Sequence, residues 1–167
     1  PIFKADILER LKQYIQGGYQ EDEEQQIRES DNLEGVRILV ADDNELNLEI
    51  MFEIFNSSGA AVDCAHNGKE ALEAYLKSSQ GYYQIILMDV HMPEMNGLEA
   101  TKEIRNSGRP DACTVPIIAM TADVFKEDIR RCQDAGMNAH MGKPVELDKL
   151  YSTVRKLLNK EALGEKQ

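Results

Sequence analysis

The run Ile85-Ile86-Leu87-Met88 ends on one acid, Asp89, and opens into a loop broken by Pro93 and by Asn96-Gly97. A strand turns successive side chains to opposite faces, so an unbroken apolar run suits a strand covered on both faces. Covering both faces of a sheet calls for crossover helices, which confines the chain to alternating α/β architecture. Asp89 then falls at the carboxyl end of a buried strand, the edge at which open α/β sheets place their ligands.

The rest of the chain repeats this pattern. Arg37 to Ala41 reads as a first strand, ending in Asp42-Asp43. Leu46, Ile50, Met51, Ile54 and Phe55 give a helical stripe, closed by Ser57-Ser58-Gly59. Ala61 to Ala65 is a second strand, and Ala71, Leu72, Tyr75 and Leu76 mark the next helix. The strand ending at Asp89 is third, followed by a helix from Leu98 to Arg105. Asn106 to Pro116 is a loop. Ile117 to Met120 is a fourth strand ending in Thr121, with a helix from Val124 to Ala135 stopped by Gly136. Asn138 to Met141 is a short fifth strand before Gly142-Lys143-Pro144, and Leu147, Leu150, Val154, Leu157 and Leu158 form the last stripe. Five strands alternating with five helices imply an α/β, doubly wound parallel (βα)5 sheet with right-handed crossovers. A flavodoxin-like strand order, 2-1-3-4-5, puts the switch point between the strands that end at Asp42-Asp43 and at Asp89.

Ahead of this unit lies a helical stretch within residues 1–16, with Ile7, Leu8, Leu11, Tyr14 and Ile15 at helical spacing. Residues 17–35 read as an acidic linker; from Gly17 to Glu34 there are seven acids and one base, net −6 of the chain's −11. The globular domain is expected over 36–159 and a polar tail over 160–167. The strong negative charge argues against a nucleic-acid surface. Cys64, Cys113 and Cys132 are odd in number and lack metal-type spacing, which fits reduced thiols in a cytoplasmic protein. The sequence has no run of membrane-spanning length and no signal pattern, so membrane contact by this stretch is not expected. A start at Pro1 rather than methionine suggests a piece of a longer chain.

In a parallel sheet, Asp42, Asp43, Asp89, Thr121 and Lys143 all gather at one edge. Three carboxylates in one crevice would raise one another's pKa unless a cation intervened. Their hard oxygens suit Mg²⁺ (or Mn²⁺), which takes one or two carboxylates and keeps waters for a phosphate. A carboxylate can accept a phosphoryl group as an acyl phosphate, with the metal stabilising charge in an in-line transfer. Lys143 offers a positive charge to a phosphoryl oxygen, and Thr121 a neutral donor.

Asp42-Asp43, Asp89 within MDVHMPEMNG, Thr121 within MTAD, and Lys143-Pro144 together resemble the receiver domain of two-component response regulators. The resemblance covers about Val36 to Leu158, and DDNELN with MDVHMPEMNG is most similar to receivers of hybrid sensor histidine kinases. It implies that Asp89 is the phosphoacceptor. It further implies that Asp43 and Asp89 bind the metal directly, Asp42 acts through a metal-bound water, and the His91 backbone carbonyl is another ligand. Thr121 and Lys143 would read the phosphoryl group. The donor would be a phosphohistidine on a histidine kinase or histidine phosphotransfer domain, and a homodimer is a further partner to expect. Such a domain catalyses only its own phosphorylation and dephosphorylation, within a parent that is itself a hybrid sensor histidine kinase. Three residues before Lys143, where the family usually carries an aromatic that rotates inward on activation, this chain has His140, a titratable switch residue. Family members often have a cis bond at the Lys-Pro pair.

Taken singly, each of these residues has a plainer role. Asp42-Asp43 could cap a helix, Asp89 could be a turn acid, Thr121 could cap the Val124 helix, and Lys143 could be a surface lysine. Two other functions compete. An aspartyl-phosphate phosphatase would want an acid two residues after its nucleophile, where His91 stands. A docking domain independent of phosphorylation would be indifferent to Asp89→Asn. No Gly-rich nucleotide loop is present, so ATP binding is not expected. No DNA-binding domain is apparent after Leu158, so output should pass through a partner or another part of the parent. Finally, the apolar offsets of Ile2, Ile7, Leu11, Tyr14 and Ile15 from Pro1 match those of Val145, Leu150, Val154, Leu157 and Leu158 from Pro144. The first stretch therefore reads as the last helix of a preceding receiver-like domain.

Overall fold

A computed structural model describes residues 32–122 and 125–164, with side chains described as far as Asn159. The stretch proposed as the last helix of a preceding domain, and the linker as far as Asp31, lie outside the described residues. Strands β1 (Arg37–Ala41), β2 (Ala61–Ala65), β3 (Ile85–Asp89), β4 (Ile117–Thr121) and β5 (Ala139–Gly142) alternate with helices α1 (Glu45–Ser57), α2 (Gly68–Lys77), α3 (Gly97–Arg105), α4 (Lys126–Ala135) and α5 (Leu147–Gly164). The strands form one parallel sheet in the order β2-β1-β3-β4-β5, as the alternation of apolar runs and helical stripes requires.

Burial follows the sequence pattern strand by strand. Every residue of β3 and β4 is buried, whereas β2, at the sheet edge, buries only Ala65. Odd and even positions serve opposite faces. Ile38, Val40, Ile85, Leu87 and Ile118 pack with Leu48, Met51 and Phe55 of α1 and Leu150 and Val154 of α5. Leu39, Ile86, Met88, Ile117 and Ala119 pack with Ala71 and Tyr75 of α2, Ala100 and Ile104 of α3, and Cys132 of α4.

The helices differ from their expected stripes in instructive ways. Leu46 and Leu76 are exposed, at 36% and 46%. In α1 the inward row is Leu48, Met51 and Phe55, three and four residues apart, and Leu46 lies outside it. Helix α4 begins at Lys126, and its N-cap position is Phe125 rather than Thr121; Val124 lies outside the described residues. Asn44, not Asp42 or Asp43, caps α1. Strand β5 starts one residue later than expected because the Asn138 side chain accepts from the Ile117 amide and from Arg105. Helix α5 continues to Gly164, past the end of its apolar stripe, through the strong helix formers Lys160, Glu161, Ala162 and Leu163. No helix among the described residues is long and apolar enough to cross a membrane.

The loop from Asn106 to Pro116 is held by two arginines. Arg105 donates to the carbonyls of Ala112, Val115 and Gly136. Arg109 lies 4.4 Å over the Tyr75 ring, donates to the Tyr75 and Ser78 carbonyls, and pairs with Asp111 at 3.0 Å. Burial alone would push the Asp111 carboxyl up. The Gly81 amide and Arg109 outweigh it and hold the group below its ordinary value. A lowered acid contributes stability that is present above its unfolded pKa and lost as pH falls through the folded one. Asp111→Asn should therefore lower stability by about 1–2 kcal/mol at neutral pH, the worth of a hydrogen bond to a charged group. Urea unfolding should show that difference closing as pH falls through and below the ordinary aspartate range.

Candidate phosphoryl-acceptor site

Parallel pairing places the site groups at one edge. Ala41 stands opposite Met88, Asp89 opposite Met120, and Thr121 opposite Gly142. Asp42-Asp43, Asp89, Thr121 and Lys143 each end or follow one of these strands, so they meet in the crevice flanking β3. Asp42, Asp89 and Thr121 are buried at 4%, 4% and 2%, while Asp43 is exposed at the mouth. One carboxylate oxygen from each of Asp42, Asp43 and Asp89 lies within 4.8 Å of the others, the one such acidic trio among the described residues.

Lys143 closes the crevice. Its Nζ is 2.9 Å from Asp89 Oδ2 and 3.1 Å from Asp42 Oδ2. Its backbone amide donates to the Thr121 carbonyl at 2.9 Å, and the Lys143–Pro144 bond is cis. The Asp42 carboxylate is further held by the Asn44 amide at 2.8 Å on Oδ1 and by Asn47 Nδ2 at 3.2 Å on Oδ2. The Asp89 carboxylate also accepts from the His91 backbone amide.

Burial pushes the Asp89 carboxyl above its ordinary value; the Lys143 ammonium opposes this, and the Asp42 charge reinforces it. For Lys143, burial favours the neutral amine, but its hydrogen bonds to Asp89 and Asp42 more than offset this and hold the ammonium above its usual range. These are two views of one situation, in which two buried acids, Asp42 and Asp89, share the Lys143 ammonium.

The loop after Asp89 is pinned at several points. Val90 donates to the Met120 carbonyl, Gly97 to the Val90 carbonyl, and Gly68 to the Met95 carbonyl, at 2.9–3.0 Å. Asn96 and Glu99 form a capping box at the start of α3. Gly97 is obligatory for a reason of space: a Cβ there would sit 2.1 Å from the Asp89 carbonyl oxygen. Gly97→Ala should displace the Asp89 backbone and cost about 1–3 kcal/mol, the usual penalty of overpacking. Thermal unfolding checks the cost, and the Asp89 amide resonance checks the displacement.

The donor set suits a hard divalent cation. An octahedral Mg²⁺ with ligands at about 2.1 Å places opposite ligands roughly 4.2 Å apart. Three carboxylate oxygens mutually within 4.8 Å are close enough to gather around one such ion.

The structure brings together Asp42, Asp43, Asp89 and Lys143, with Thr121 beside them at the end of β4. His91 stands in the loop directly after Asp89 with its side chain exposed. His140 is exposed on β5. Sequence reasoning passed over Asn47. Its signal was available: an amide in the first turn of α1, three residues after the Asn44 cap and five after Asp42.

Comparison with known proteins identifies the family and the fold. The profile of the response regulator receiver domain matches residues 38–155. "Hybrid signal transduction histidine kinase L" of Dictyostelium discoideum is 36% identical over 121 residues, covering 72% of this chain and 7% of that protein. "Sensory/regulatory protein RpfC" of Xanthomonas campestris is 33% identical over 131 residues, covering 78% of this chain and 18% of that protein. The chain thus spans less than a fifth of the length of either of these curated relatives. Among solved structures, the receiver domain of a sensor histidine kinase from Pseudomonas aeruginosa, described with a magnesium ion coordinated in its active site cleft, superposes with a TM-score of 0.67. The two are 31% identical, covering 75% of this chain and 98% of that one. A CheY-like receiver domain from Methanospirillum hungatei, 24% identical and covering 77% of this chain and 98% of that one, shares the fold with a TM-score of 0.69.

Proposed function

Since this chain belongs to the response regulator receiver domain family of two-component signalling, we propose that Asp89 takes a phosphoryl group from a phosphohistidine and thereby switches or relays a signal. The observation that carries this reading is the buried Asp89 carboxylate facing Asp42 and Asp43, with Lys143 Nζ only 2.9 Å from its Oδ2. Asp43 and Asp89 would hold a Mg²⁺ directly, Asp42 through a water, and the His91 carbonyl would complete the protein ligands. When bound, such a cation supplies charge neutralisation for the acids and for the incoming phosphoryl oxygens.

The remaining chemistry belongs to side chains of this protein. An Asp89 carboxylate oxygen attacks phosphorus, the P–N bond of the donor histidine breaks as the P–O bond forms, and the imidazole leaves with its electron pair. Burial excludes competing water from the nucleophile, since Asp89 is only 4% exposed. Lys143 turns from the carboxylates to a phosphoryl oxygen, and Thr121 donates to another. Drawing Lys143 and Thr121 toward the new group shifts the face of α4, β5 and α5, with His140 on β5 as part of the switch.

The partners that fit are a histidine kinase or a histidine phosphotransfer domain, with a parent chain of the hybrid sensor histidine kinase type. The free thiols of Cys64, Cys113 and Cys132 support a cytoplasmic setting. Incubation with acetyl phosphate tests the reading. The expected result is a gain of one phosphoryl group with Mg²⁺ and none with EDTA, read by intact mass. Continuous turnover of a small phosphate ester without a persistent adduct would instead favour a phosphatase.

A further inference from the structure

We infer that Asn47 is a positioning residue that keeps the Asp42 carboxylate aimed at the cation when Lys143 leaves it. The inference rests on the reading of the acidic crevice given above and extends it to a residue outside the acid, hydroxyl and lysine set. Among the described residues, Asp42 Oδ2 has two donors, Lys143 Nζ at 3.1 Å and Asn47 Nδ2 at 3.2 Å, while Oδ1 accepts from the Asn44 amide. Lys143 is shared with Asp89, its closer partner. Any phosphoryl oxygen that recruits Lys143 therefore removes one of the two donors from Asp42 Oδ2. Asp42 is 4% exposed, so a free rotation that left Oδ2 without a donor would be costly. Asn47 is the remaining side-chain donor on that oxygen.

The residue type suits the task. An amide donates without adding charge, so it orients a carboxylate without repelling a cation. A lysine at this position would compete with the cation, and an aspartate would repel Asp42. The amide is held on a rigid support: the Asn44 side chain caps the helix by accepting from the Leu46 and Asn47 amides, and Leu48 and Met51 bury the next turn. Asparagine is a poorer helix former than alanine, so helix stability alone does not account for it.

Three chains decide it: the wild type, Asn47→Ala, and Asn47→Gln, which keeps an amide donor on a longer arm. Mg²⁺ affinity is measured by calorimetric titration. Urea unfolding of the metal-free protein and phosphorylation by acetyl phosphate at saturating Mg²⁺ are run in parallel. Asn47→Ala should weaken Mg²⁺ binding roughly five- to tenfold, the scale of one ordinary hydrogen bond. Its metal-free unfolding midpoint should stay close to wild type, and Asn47→Gln should recover part of the affinity. A role confined to the fold would instead lower the unfolding midpoint and leave Mg²⁺ affinity within twofold, which overturns the inference. If Asn47→Ala does not fold, wild-type affinity in Asn47→Gln supports the donor role, and affinity reduced tenfold without recovery overturns it. A wild-type chain that binds no Mg²⁺ overturns the reading beneath the inference as well, whereas wild-type binding with an indifferent Asn47→Ala overturns the inference alone.

Discussion

Asp89→Asn should abolish phosphoryl uptake, with acetyl phosphate labelling falling by a factor on the order of 10³ or more, about 4 kcal/mol of transition-state stabilisation. The amide nitrogen and oxygen that replace the carboxylate cannot form a stable acyl phosphate. The neighbouring acids do not take over, since Asp42 is committed to Asn44, Asn47 and Lys143 and Asp43 stands at the exposed mouth. The same substitution should make the metal-free protein more stable at neutral pH. Burial raises the Asp89 pKa in the folded state, against the pull of Lys143. An acid whose folded pKa is raised binds protons more readily in the folded chain, so stability falls as pH rises from the unfolded pKa through the folded one. The penalty is complete above that window and absent below it. Urea unfolding should therefore show Asp89→Asn more stable than wild type near neutrality, with the difference vanishing in acid. A phosphorylation site that costs stability until it is occupied by a cation or a phosphoryl group is a poised site, and the two measurements together test that coupling.

Lys143→Met should have the second largest effect, and of the opposite sign on stability. Lys143 lies between two buried carboxylates, at 2.9 Å and 3.1 Å. Removing it leaves both without their cation, which should cost about 3 kcal/mol, near the lower end for a buried charge losing its partner. The thioether keeps the packing of the stem, so the loss reports charge more than volume. Added Mg²⁺ should restore more stability to this variant than to wild type, because the ammonium no longer competes for the same oxygens. Phosphorylation should fall about a hundredfold, the usual loss for one preorganised electrostatic donor. Thermal unfolding with and without Mg²⁺, and initial labelling rates, check the two halves. The pH dependence carries its own sign. A lysine whose folded pKa is raised contributes stability in full below its unfolded pKa and loses it as pH rises through the folded one. The gap between wild type and Lys143→Met should therefore close in alkali, and also in acid as the two carboxylates facing Lys143 take up protons.

The strand ends were legible because two simple rules fix them. Unbroken apolar runs such as Ile85 to Met88 and Ile117 to Met120 suit central parallel strands, and the order β2-β1-β3-β4-β5 then brings Asp42, Asp89 and Lys143 to one edge. What escaped the sequence was set by tertiary contact or by short range. The inward row of α1 depends on where the helix starts, and that start is fixed by Asn44 rather than by Asp42 or Asp43. Leu46 and Leu76 count as apolar in any pattern, yet each lies beside rather than on the face its helix turns to the sheet. Arg105 and Arg109 look like ordinary charged residues in sequence, but their partners are carbonyls and a ring that the fold supplies. Asn47 belongs partly to the same class: its spacing from Asp42 is visible in the sequence, but its meaning lies in a 3.2 Å contact that the fold supplies.

The most direct test is to locate the phosphoryl group. The protein is exposed to a phosphohistidine donor with Mg²⁺, the acyl phosphate is trapped by borohydride reduction, and the digested peptides are sequenced by mass spectrometry. The expected product carries the reduced label at Asp89 alone, in the peptide spanning Ile85 to Gly97. Label on Asp42, Asp43, a histidine or a hydroxyl residue, with Asp89 unmodified, would contradict the assignment of Asp89 as the acceptor.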